Sequence, residues 1–344
     1  MKKITGLTKH WEFILLMILV AEFVIFTLAN PKFLRPVSIM SSVTNYISIC
    51  IIALFVTFVM ITGGIDIQAA SIIGLTSITI GVLWSDADLS IWGAVVCAII
   101  LSGICGALSG FFVAYCGVQP MVVTLGGSFL YSGIALLISS LSKTPAYQGI
   151  SKFPLKTQDG RFVGFRFLGK GEVFGFLPMP IFIYIILIVI CYFLLHKTKY
   201  GRQVFLVGVN AEAAKYSGIN TRLIIMSTYI LSALGASVAG ILLTSNVDSA
   251  KYDIGSTFTL SIITAVVLGG TLSTGGKGSI AGTALASLII CILRYGLPLC
   301  FGISTQNLDL PVGLMLIVVV VGRAMAQKGL FQKVFRDHAL KYRN

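Results

Sequence analysis

Apolar residues run along this chain in blocks near 20 residues long, and the polar positions collect in the gaps between them. The blocks fall at 11–30, 43–62, 67–85, 92–116, 121–140, 178–196, 222–244, 256–271, 275–295 and 308–326. Each approaches the length a helix needs to cross a hydrocarbon core of about 30 Å. The pattern predicts an all-α polytopic membrane protein of about ten transmembrane helices. Two gaps are unusual because they are short and rich in glycine. Gly63-Gly64-Ile65-Asp66 separates 43–62 from 67–85, and a second glycine-rich linker separates 256–271 from 275–295. "FVMITGGIDIQAASIIG" (58–74) and "AVVLGGTLSTGGKGSIAG" (265–282) share a β-branched run, a Gly-Gly break, a polar step and a restart on small residues. Five spans per half would make the halves, 11–177 and 178–326, inverted in the membrane, a plan common among transporters with broken helices.

Composition agrees. With 56% hydrophobic and 11% charged residues, the chain lies far from the roughly 25% charged residues of a soluble domain. Residues 13–29 look like a signal peptide at first, with basic residues before them and Thr27-Leu28-Ala29 as a cleavage site. Glu22 within the stretch and the further spans after it make it the first membrane helix instead. The net charge of +13 does not mark a nucleic-acid binder, because the basic residues form no stripe. They sit in loops and tails, the distribution of cytoplasmic segments and of contacts with anionic lipid headgroups.

Ten crossings place both termini on one side, and the basic tails, including 327–344, make it the cytoplasm. The 197–222 loop, with five basic residues against one acid, is then cytoplasmic too. The 141–177 loop falls outside, although it carries six basic residues and two acids.

No catalytic constellation is visible. His10, His196 and His338 are scattered, and the seven cysteines contain no CxxC pair, so neither a metal site nor a disulfide framework is expected. "GGTLSTGGKGS" imitates a phosphate loop and fails on spacing. Gly276-Lys277 would need glycine at 271, which is threonine, and Gly278 stands where serine or threonine is required. Gly106 with Gly110, and Gly278 with Gly282, are spaced for close helix packing. Asp66 has two readings. It is an intramembrane acid, functional by default, or it caps the helix restarting at 67. The scarcity of other intramembrane charges argues against a proton- or sodium-coupled carrier, in which Asp66 would hold the ion.

One stretch departs from its surroundings. In "VNAEAAKYSGINTR" (209–222), Asn210 suits an N-cap, Glu212 a first turn, and Gly218 a C-terminal stop. The resulting two turns are too short to hold in water alone, so the helix needs something to lie against. Membrane-surface connector and docking element both fit.

Longer motifs add to this. "TGGIDIQAASIIGL" (62–75), "PMVVTLGGSFLYSGIALLIS" (120–139), "KTKYGRQVFLVGVNAEAAKYSGIN" (197–220), "AVVLGGTLSTGGKGSIAGT" (265–283) and "LIVVVVGR" (316–323) resemble the permease subunits of ribose-type bacterial ABC importers. The resemblance runs from about residue 11 to 325. Within the family, "WEFILLMILVAEFVIFTLANPKFL", "YQGISKFPL" and "HKTKYGRQVFLVG" look most like the D-type permeases of autoinducer-2 import, with sister permeases for ribose and rhamnose sharing the framework.

The resemblance implies a bacterial inner-membrane permease domain over 1–344 that carries a small sugar-like molecule and is not itself an enzyme. It implies a separate ATPase holding ATP and magnesium, a second permease, identical or sister, and a periplasmic binding protein received by 141–177. It likens 211–218 to the family's coupling helix, which lies in a groove of the ATPase. Asn210, Glu212, Ala213, Ala214, Lys215, Tyr216 and Gly218 would form that element. The substrate would pass near Gly63, Gly64, Asp66, Thr124, Gly126, Gly269 and Gly270. One departure stands out: the family's Asp-Leu-Ser after Gly-Gly-Ile is here Asp66-Ile67-Gln68.

Overall fold

In hydrocarbon a backbone satisfies its polar groups only within its own segment, so long runs of Ile, Leu, Val and Phe close into helices. The computed structural model describes residues 11–151, 153, 164–304 and 307–327. Its helices begin with α1 (Trp11–Ala29), α2 (Pro36–Ile61), α3 (Ala69–Ser85), α4 (Ile91–Ala114) and α5 (Pro120–Ser140). They continue with α6 (Phe165–Lys170), α7 (Met179–Lys197), α8 (Lys199–Val209), α9 (Ala211–Tyr216) and α10 (Thr221–Val247). The last are α11 (Thr259–Leu268), α12 (Ile280–Phe301) and α13 (Asp309–Gln327). Seven of them, α1, α2, α4, α5, α7, α10 and α12, are long and apolar enough to cross a membrane. The chain is an all-α, multi-pass membrane protein.

Every expected span contains a helix, and the differences have local causes. α2 begins at Pro36, not 43, because proline suits a first helical turn, while Ser38, Ser41 and Asn45 had lowered the apparent hydropathy. The 256–271 span is a 3₁₀ turn, Ser256–Phe258, followed by the ten residues of α11. At 1.5 Å per residue α11 is about 15 Å long, half a membrane. The 275–295 span starts late, at Ile280, because Gly275 and Gly276 take left-handed φ angles of +85° and +75° and Ser279 caps the helix by accepting the Gly282 N–H.

The interior is built on α2 and α10. Ile47, Ile51, Leu54, Phe58 and Ile61 of α2 are buried, whereas Phe13 of α1, Phe129 of α5 and Phe193 of α7 point outward. Lipid is as apolar as leucine, so close approach and interhelical hydrogen bonds must hold such a bundle. Gly106 and Gly110 bring α4 onto α10: a methyl on Gly106 would lie 2.6 Å from Ala233 Cβ and 2.7 Å from the Tyr229 carbonyl oxygen. Thr57 bonds Thr283 at 3.0 Å, Thr76 bonds Ser102 at 3.0 Å, and Thr244 donates to Ser77 at 2.7 Å. Buried Arg294 of α12 donates to Ser261 at 2.7 Å and to Asp309 at 2.6 Å, joining α11 and α13.

The two ends of the bundle differ. At one end α8 packs on the 269–279 linker, whose flanks hold the start of α1: Trp11 donates to the Leu268 carbonyl and Ser279 donates to Glu12. At the other end two short strand pairs cover the helices. Ile150–Ser151 pairs with Ser249–Ala250, and Glu172–Val173 with Leu177–Pro178. There α6 is fastened to the end of α10 by Ser245, which donates to the Phe165 carbonyl at 2.6 Å, and by an Arg166–Asp248 ion pair at 3.0 Å. Asp86, just past α3, accepts the Lys143 N–H at 3.0 Å. Desolvation pushes its carboxyl up, but the Ser142 and Ser85 hydroxyls and Lys143 together outweigh it and hold the carboxyl below the usual carboxylate range.

α2 leads into the 62–68 break at the α8 end, and α10 leads into the 248–258 break at the opposite end; each is followed by a shorter helix. The 269–279 linker instead lies against the 62–68 break, with the Gly276 N–H donating to the Ile61 carbonyl at 2.8 Å.

Overpacking a core costs about 1–3 kcal/mol. Gly106→Leu is therefore expected to lower the melting temperature of the detergent-solubilised chain by about 5 °C. Gly126→Leu, with open space around the added carbon, is expected to leave it unchanged; equal shifts would refute the packing account.

Candidate functional site

The α8–α9 segment starts with Thr198, whose hydroxyl accepts the Gly201 N–H at 3.2 Å and donates to the Leu194 carbonyl at 2.6 Å. This turns the chain sharply off α7. α8 buries Gly201, Val204 and Val207 and exposes Arg202, Leu206 and Val209. Asn210 then caps α9 by accepting the Ala213 N–H at 3.0 Å. Glu212 occupies the first turn, and Gly218 ends the helix at φ +81°, with the Ile219 N–H returning to the Ala214 carbonyl at 3.1 Å. That is the αL stop expected of glycine. Asn220 caps α10 through the Leu223 N–H.

Of the residues expected in this element, only Ala214 is buried. Asn210, Glu212, Ala213, Lys215, Tyr216 and Gly218 are exposed, Tyr216 at 88%. A six-residue helix with one inward anchor presents nearly all of its surface to whatever lies beyond the bundle.

Behind it the structure adds a contact that the sequence did not reveal. A methyl on Gly208 would strike the Ile61 carbonyl oxygen and approach the Gly276 amide to 2.7 Å. A methyl on Gly275 would lie 2.9 Å from Gly208 O, 2.9 Å from Gly63 N and 3.0 Å from Ile61 O. Three backbones, from α8, the end of α2 and the 269–279 linker, meet here without intervening side chains. The glycines at 63, 208, 275 and 276 were legible separately; their meeting is a long-range fact.

The 62–68 break is a buried polar knot. Asp66 Oδ1 accepts the Gln68 N–H at 3.1 Å, and the helix restarts at Ala69, two residues later than a cap at 66 would place it. The Asp66 carboxylate is buried beside the Tyr229 and Ser232 hydroxyls of α10, with Ser232 within reach of it. Gln68 accepts from Ser109 at 2.7 Å, and Ser109 bonds Tyr131 at 2.9 Å. Gln68 thus links the break to α4 and α5. Buried Thr124 donates to the Ile65 carbonyl at 2.9 Å.

The other proposed path residues divide. Gly64 is buried against Tyr229 and Val59, and Gly269 against Thr283 of α12. Gly270 is half-buried, and Gly63 and Gly126 are exposed. Farther along α5, Ser132 and Gly133 border a cavity of 270 Å³ shared with Ser71 of α3 and with Tyr252, Asp253 and Ser256. This cavity was missed, because Asp253 reads as an ordinary loop acid. The available signal was the Asp-Ile pair, which recurs at 66–67 and 253–254.

These features, a bundle broken near both ends with an outward-facing capped helix on one, are those of a transporter's membrane subunit. The chain belongs to the family described as branched-chain amino acid transport system / permease component, whose model matches residues 38–320. It is 36% identical over 97% of its length to the autoinducer 2 import system permease protein LsrD of Photorhabdus laumondii, covering 96% of that protein. The proteins of the same name from Photorhabdus temperata and Salmonella typhimurium are 39% and 38% identical, each over 92% of both chains. No solved structure matches.

Gly208→Ala is expected to force α8 off the Ile61 turn. Hydrogen exchange at the Gly276 amide should then accelerate at least about tenfold, since local opening releases its bond. Unchanged exchange would show that the three-backbone contact is not tight.

Proposed function

We propose that this chain is a permease subunit of an ATP-driven importer and that its cargo is autoinducer-2 or a related small sugar-like molecule. The observation that carries the reading is the α8–α9 segment, whose α8 meets the junction of the broken helices at Gly208 and whose capped α9 is exposed. Its cytoplasmic side is supported by Lys197, Lys199, Arg202, Lys215 and Arg222 around it, which puts both termini in the cytoplasm of an inner-membrane protein. The cargo is supported by the name the relatives share; ribose or rhamnose is the alternative.

In this reading a separate cytoplasmic ATPase binds ATP and magnesium and receives Glu212, Ala213, Lys215 and Tyr216 in a groove. A second permease, most simply a sister subunit, completes the path, and a periplasmic binding protein delivers cargo at the end bearing the 141–177 loop. A ligand shifts an equilibrium only by binding its two states differently. Closure of the ATPase must therefore act through rigid contacts. Gly208 against Ile61 transmits it to α2, and Asn220 at the start of α10 transmits it to the helix beside Asp66.

Glu212→Lys and Gly218→Leu are expected to leave membrane insertion intact while lowering co-purification with the ATPase at least about tenfold, since truncating a docking contact costs 1–2 kcal/mol or more. Undiminished pull-down with undiminished ATP-dependent uptake would remove the coupling assignment. Uptake by the complete complex, with autoinducer-2 competed by ribose, decides the cargo.

A further inference from the structure

The 248–258 connection leaves the end of α10 and turns back into the bundle. Its backbone is pressed onto α3: a methyl on Gly74 would strike the Tyr252 carbonyl oxygen, and one on Gly255 would lie 2.8 Å from Ile73. Ile73 precedes the end of α3 at Ser85 by 85 − 73 = 12 residues, so this stretch lies about 18 Å below that end. Measured along the helix, that distance is more than half of a hydrocarbon core of about 30 Å.

Here the chain presents Asp253. Its turn is closed by main chain alone, the Ser256 N–H donating to the Asp253 carbonyl at 3.1 Å. Its carboxylate is exposed, with no side-chain ion pair or hydrogen bond among the described residues. Asp253 lines the 270 Å³ cavity together with Ser71, Ser132, Leu136, Tyr252 and Ile254, a mostly apolar wall with few polar groups. An ionisable group at membrane depth that faces a cavity and has no internal partner is a ligand-facing group by default. Asp66 likewise precedes isoleucine in the break after a long helix. Asp66 is turned inward and bonded to its own loop, whereas Asp253 is turned out.

We propose that Asp253 is a specificity-determining residue of the translocation path, its two oxygens accepting hydrogen bonds from neighbouring hydroxyls of a small neutral polyol. The proposal rests on the reading that the chain carries a polar solute. An ionised carboxylate only accepts, so it selects hydroxyl donors and repels anions. The cavity is near the lower limit of small-molecule sites, about 300 Å³, and a few placed polar groups on apolar walls suffice for selection there. A site built to bond a hydroxyl rejects the analogue that lacks it.

The test uses the complete complex, with both permeases, ATPase and binding protein, in proteoliposomes, and autoinducer-2 as the transported probe. Asp253→Asn is expected to lower uptake at subsaturating probe at least tenfold and to reduce discrimination against a deoxygenated analogue by a similar factor. ATPase co-purification and basal ATP hydrolysis should be unchanged, and Asp253→Glu should restore most of the discrimination. Wild-type uptake and discrimination in the Asn variant would overturn the proposal. If Gly133→Leu, which fills the cavity, still blocks uptake in that case, the cavity lies on the path but the carboxylate does not select the solute. A wild-type complex that moves neither autoinducer-2 nor ribose would defeat the transport reading, and this inference with it.

Discussion

Between Gly208, Ile61 and Gly275 three stretches of backbone meet with no side chain between them, and the rest of the fold is arranged around that absence. Protein interiors are bistable and not smoothly deformable, so a junction at backbone distance passes displacement on with little loss. Alanine at 208 would insert a methyl against the Ile61 carbonyl. The glycines that let the helices break are also the ones that let the pieces touch. α8 on one side and the broken ends on the other are thus mechanically one object.

The surrounding bundle follows from lipid as solvent. Its surface is apolar, with Phe13, Phe129 and Phe193 outward, and its interior sets hydroxyls and amides among buried apolar side chains. Serine and threonine pairs cross-link α2, α3, α4, α10 and α12 at 2.7–3.0 Å. Gln68 draws α4 and α5 toward the first break through Ser109 and Tyr131. α5, with Thr124 against the break and Gly133 beside the cavity, spans the distance between them.

Much of this could be read from the sequence, and for identifiable reasons. A 20-residue apolar run needs no context to be a helix, and an Asn–Glu–Gly pattern closes a two-turn helix locally, so α9 was legible to its caps. The 256–271 run was misread as a span because hydropathy does not register where a helix starts. Residues 248–258 re-enter the bundle through backbone contacts with Gly74 and Ile73, distant in the chain. The segments 58–74 and 265–282, alike in composition, touch each other at one end, a contact that composition does not encode. Asp253 escaped notice because its meaning depends on depth, and no local pattern encodes depth.

Tyr216, Leu206 and Val209 stand 88%, 52% and 72% exposed on a part of the molecule set apart from the spanning helices by basic residues. An apolar patch left in water invites unwanted association. In the proposed assembly a docked ATPase would cover these side chains, so the isolated chain exposes apolar surface that the complex buries.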